Sequence, residues 1–93
     1  MTKPKKELKK ATLTVKGKKC VLLEPDFKQL SFGLSALSAE GKMNMVEGGK
    51  AIYDVCMIDC DKEIKESGKL LMSICVKIAE EYLLPLEVTI KKN

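Results

Sequence analysis

Gly48-Gly49-Lys50, within the stretch VEGGKAIYD, is a first place where residue type and spacing suggest chemistry, because a Gly-Lys pair can help cradle phosphate. A P-loop also needs a glycine five residues before the Gly-Lys pair and a Ser or Thr after it, so that backbone N–H groups wrap the phosphates and a hydroxyl meets Mg²⁺. Asn44 and Ala51 hold those positions here, and around Gly41-Lys42 they are Ala36 and Met43. No strand-like run immediately precedes either pair, so neither reads as a nucleotide loop. Asp59, Asp61 and Glu63 raise the same question for calcium. The sixth loop position, which needs Gly, is Ile64, and the twelfth, which needs a bidentate Glu, is Leu70.

The four cysteines offer little more. Cys56 and Cys60 stand four apart, there is no Cys-x-x-Cys pair, and the chain has no His to complete a zinc set. In a reducing compartment they read as small buried hydrophobes. The absence of His also removes the usual acid–base group near neutral pH. All 17 basic residues are Lys, so no guanidinium fork is available to read guanine or phosphate bidentately. The expectation is a protein without catalytic residues, metal or cofactor.

Charge divides the chain. Residues 1–19 hold eight Lys against one Glu, net +7, and residues 20–93 hold nine Lys against twelve acids, net −3. Residues 1–10, MTKPKKELKK, therefore read as a basic, disordered arm ahead of a single domain at 11–93. The alternative gives that arm a function: Lys3, Lys5, Lys6, Lys9 and Lys10 would neutralise phosphates of a nucleic acid, without sequence-specific reading. No apolar leader is visible at the start, and the longest apolar run, LLMSICVKIA, is interrupted by Lys77 and too short to span a bilayer. A soluble, cytoplasmic protein is expected.

The elements follow from pattern. Ala11 to Val15 and Cys20 to Glu24 are β-rich runs separated by a Lys-Gly-Lys-Lys turn and predict a hairpin. Pro25 and Asp26 stop it and open a first helix, whose Phe27, Leu30, Leu34 and Leu37 should face the core. A second helix is expected over residues 43–60, with Met45, Gly49, Ile52, Tyr53, Cys56 and Cys60 inward and Lys50 outward beside Glu47 and Asp54. An inward glycine predicts close approach of another backbone at Gly49. DCDKEIKESG reads as a polar connector, Ser67 as the cap of a third helix over 68–83, and LEVTIKK as a closing strand returning to the hairpin. The sum is an α+β fold, a small antiparallel sheet of hairpin plus C-terminal strand with about three helices on one side.

The last helix carries more apolar surface than one contact needs. Leu71, Ile74, Cys75, Ile78 and Tyr82 form one stripe, and Met72, Val76, Ala79 and Leu83 a second beside it. Two covers for the second stripe stand open, the protein's own helices or a partner. Phe32 lies off the first helix's stripe and is left over for the same partner.

In its order of parts the chain resembles the small tail assembly chaperones, and related small tail-region proteins, of long-tailed bacteriophages. The carriers are a hairpin ending in LLEPDFKQL, the helix EGGKAIYDVCMI, the acidic break DCDKEIKESG and the last helix KLLMSICVKIAEEYLLP, over about residues 11–85. LEVTIKK departs from that pattern. The resemblance implies a non-catalytic protein that binds the tape measure protein, or another tail component, and shields its hydrophobic helices until the tail tube assembles, often as a homo-oligomer. The partner-binding residues are then expected to be Met72, Val76, Ala79, Leu83 and Phe32.

Overall fold

The computed structural model describes residues 9–92. Along the chain run β1 (Lys10–Val15), β2 (Lys18–Leu23), α1 (Phe27–Leu37), a 3-10 turn (Ala39–Gly41), α2 (Met45–Cys56), β3 (Met57–Cys60), α3 (Lys62–Glu66) and α4 (Gly68–Tyr82). The fold is α+β: the strands make one antiparallel sheet in the order β1-β2-β3. No helix among the described residues is long and apolar enough to cross a membrane.

The hairpin forms where its residue types place it. Lys16 and Gly17 both take positive φ, 49° and 77°, as a two-residue type I′ turn requires. Val15 then pairs with Lys18 and Lys10 with Leu23. The sheet thus takes in Lys10, one residue ahead of the expected domain boundary. The rest of the predicted disordered arm, apart from Lys9, lies outside the described residues.

The third strand differs from the expectation. It is Met57–Cys60, read from sequence as the last turn of the second helix, whereas LEVTIKK forms no strand in this protomer. The central strand β2 needs a partner on its second edge, and β3 supplies it directly after α2 ends. Cys20 pairs with Cys60, and a bulge leaves Ile58 without a partner between the Val21–Asp59 and Leu22–Met57 pairs. Asp61 seals the junction, donating its N–H to the Lys19 carbonyl while its carboxylate accepts the Lys19 N–H at 2.8 Å. The expected polar connector folds into the short α3, anchored by a fully buried Ile64.

Helix starts follow local chemistry. Asp26 and Gln29 form a reciprocal capping box at α1, Asn44 caps α2 by accepting from Glu47 N–H, and Ser67 caps α4 by accepting from Leu70 N–H. Lys50 points outward and pairs with Asp54 at 2.8 Å. At Gly49 the expected close approach is present: a Cβ there would coincide with the Cys75 carbonyl of α4. The core between sheet and helices centres on Cys20, Leu22, Ile52, Ile64, Ile74, Cys75 and Ile78.

Candidate protein-binding surface

The face that α1 turns inward is not the predicted one. Gly33 and Leu37 are buried and Leu30 is half-buried, while Phe27 is 85% exposed and Leu34 also faces outward. The cause is Gly33, which a count of apolar side chains ignores. A Cβ at Gly33 would lie 2.7 Å from Ile52 Cδ1, so α2 approaches along the Leu30–Gly33–Leu37 line and the helix is rotated to bring that line in. Phe27 and Leu34 are carried off the core as a result.

These two side chains border an open groove of about 370 Å³ between α1 and the chain leaving α4, whose other wall is Tyr82 to Leu86. Leu84 and Leu86 are themselves exposed. The groove is almost wholly apolar, the residues of its lining that carry a polar side-chain group being Ser31 and Tyr82. Burial, with Glu24 and Glu81 nearby, raises the Tyr82 phenol above its ordinary pKa, so it remains a neutral donor across the ordinary range.

The predicted partner-binding residues divide. Met72, 45% exposed, and Phe32, 57% exposed, are on the surface, and Val76 is half-buried. Ala79 and Leu83 are buried in the protomer and cannot meet a partner without unpacking. Leu83 is held by two glycines: a Cβ at Gly33 would lie 3.1 Å from one of its methyls and a Cβ at Gly48 2.9 Å from the other. Ala79 sits one turn beyond Cys75 on the same face, against the core. The second stripe of α4 is thus covered internally at its C-terminal half and open at Met72. Phe32 and Met72 do not line this groove.

Of the lysines in the alternative reading, Lys9 and Lys10 are exposed at the start of β1, and Lys3, Lys5 and Lys6 lie outside the described residues. Cys20, Cys56, Cys60 and Cys75 are all free and buried. Burial pushes the Cys75 thiol up to about 11 and, together with its neighbour Cys60, the Cys20 thiol up to about 12. Such thiols stay protonated at neutral pH and are poor nucleophiles. Among the described residues no group of three or more Cys, Asp or Glu side chains is arranged to hold a metal ion.

Comparison with protein-family models, with curated proteins and with solved structures finds no match to this chain.

Proposed function

We propose that this chain is a non-catalytic protein-binding module that holds an apolar helical segment of a partner, in the manner of the phage tail assembly chaperones it resembles, with a tape measure protein or other tail component as client and the host cytoplasm as its place of work. The observation that carries the reading is the groove between α1 and the chain after α4, where Phe27, Leu34, Leu84 and Leu86 leave contiguous apolar surface uncovered. A concave apolar strip of this kind suits the apolar face of an amphipathic helix, whose anchors recur at i, i+3, i+4 and i+7. Met72 and Val76 offer a secondary contact. The order of parts shared with the chaperones supports the choice of client.

The test is co-expression with a helical tape measure fragment, reading how much of the fragment stays in the supernatant and co-purifies. Phe27→Glu combined with Leu34→Glu is expected to abolish retention, and Met72→Glu to weaken it less. Retention unchanged in the double variant would defeat the reading.

A further inference from the structure

Leu86, Val88 and Ile90 stand 86, 80 and 76% exposed and alternate with Glu87, Thr89 and Lys91. That is the period of a strand with one apolar face, yet the segment has no strand partner in its own protomer. Elsewhere the molecule offers the converse, a strand edge with no neighbour. Val15 and Lys18 close the hairpin turn, and the Glu24 N–H donates to the Lys9 carbonyl at 2.9 Å. This fixes the ladder, so that Lys9, Ala11, Leu13 and Val15 direct their amides at β2 while Lys10, Thr12 and Thr14 direct theirs outward. Among the described residues no strand lies beyond β1.

Along that edge, between β1 and α4, runs a groove of about 530 Å³ whose apolar lining is Ala11, Leu13, Val15, Ile74 and Tyr82. It marks missing cover. The inward residues of β1 are only half-buried, whereas Cys20 and Leu22 on the neighbouring strand are completely buried. The segment does not fill the groove in its own protomer, because Leu84, Pro85 and Leu86 line the groove on the α1 side instead.

We propose that Leu86–Lys91 is an exchange arm that adds as a strand to the outer edge of β1 in a second copy of the chain, seating Val88 and Ile90 in the β1–α4 groove. The outward amides of Lys10, Thr12 and Thr14 supply the ladder, and the apolar alternation supplies the fit, as in other strand additions. Charge selects the direction. A parallel register sets Glu87 beside Lys10, Thr89 beside Thr12, Val88 beside Ala11 and Ile90 beside Leu13, with apolar side chains inward throughout. The antiparallel register over the same residues sets Lys91 beside Lys10, two like charges on adjacent strands. Exchange of arms in both directions gives a closed two-fold dimer. Leu86 borders the client groove as well, so the two readings share that residue, but the strand addition rests on the β1–α4 groove and is read by molar mass, not by client retention.

The experiment measures molar mass by light scattering across a range of concentrations for the full chain, a chain lacking residues 86–93, Thr12→Pro, and an equal mixture of the two variants. Proline is tolerated at an edge position whose N–H points outward, so Thr12→Pro should keep the fold and block only the addition. The full chain is expected to dimerise and each variant to be monomeric with unchanged helical circular dichroism. The mixture should recover a heterodimer, the arm of the Thr12→Pro chain lying on the intact edge of the truncated one. A full chain that stays monomeric, a dimer that survives truncation, or a mixture without heterodimer each overturns the proposal. Val88→Glu leaves β1 untouched and should weaken dimerisation by more than about tenfold; unchanged dimerisation in that variant also overturns it.

Discussion

The crossing of α2 with α4 and the outer side of α1 are both apolar helix surfaces, and they differ in what the smallest residues allow. At the crossing, Gly49 lets α4 come so close that its Cys75 carbonyl occupies the place of a side chain, and Gly48 with Gly33 makes room for Leu83. On the outer side of α1, Phe27 and Leu34 have no such glycine facing them and remain open. A helix in this molecule is buried along the line where a backbone or side chain can enter, and its largest hydrophobes do not decide the matter.

The comparison breaks most severely at Gly49. Gly49→Ala forces the α2 and α4 backbones apart and should cost at least about 3 kcal/mol, the upper part of the range for overpacking, read by urea denaturation. Gly48→Ala meets side-chain atoms instead, Leu37 Cβ at 2.8 Å and a methyl each of Leu37 and Leu83 at 2.9 Å; the methyls can turn aside while the Cβ requires a small shift of α1, so the cost should be real but lower. If both cost the same, backbone contact is not what closes the crossing.

The closed region can also be broken from within by charge. Cys75 has its thiol pKa raised by burial from 9.0 to about 11, and Cys20 from 9.0 to about 12. A raised folded-state pKa contributes stability that is intact below pH 9 and is lost as pH climbs through the folded values. Stability should therefore be flat from pH 7 to about 8.5 and then fall by about 1.4 kcal/mol per pH unit for each thiol that ionises only in the unfolded chain. Cys75→Ala should shrink that alkaline slope. An unchanged slope would place the titration elsewhere.

The open region should respond least. Phe27→Glu changes an exposed side chain and is expected to shift stability by no more than about 0.5 kcal/mol. A loss several times larger would mean that the α1 groove is covered in the folded protein, and would remove the contrast.

Much of the fold was legible because it is written locally. The hairpin, although its turn closes in two residues and not the four expected, the caps at Asp26 and Ser67, the outward Lys50 and the backbone contact at Gly49 each follow from a few adjacent residues. The misplaced parts depend on neighbours. Met57–Cys60 continues a helical pattern and becomes a strand because β2 has a second edge to satisfy, while residues 86–91 have a strand's alternation and pair with no edge of this protomer. The α1 face was misjudged because Gly33 adds nothing to a hydrophobic count yet decides where Ile52 enters. Candidate site residues suffered from the same cause: Ala79 and Leu83 look like surplus apolar area until the glycine seat for Leu83 is known, and that seat leaves the α1 groove, unpredicted, as the open surface.

The four buried thiols have a practical consequence. Since all four are buried, a maleimide fluorophore offered to a variant carrying one added surface cysteine should attach at that position first. Distance measurements between labelled copies can then be made on the otherwise native molecule, with its interior sulfur atoms left in place.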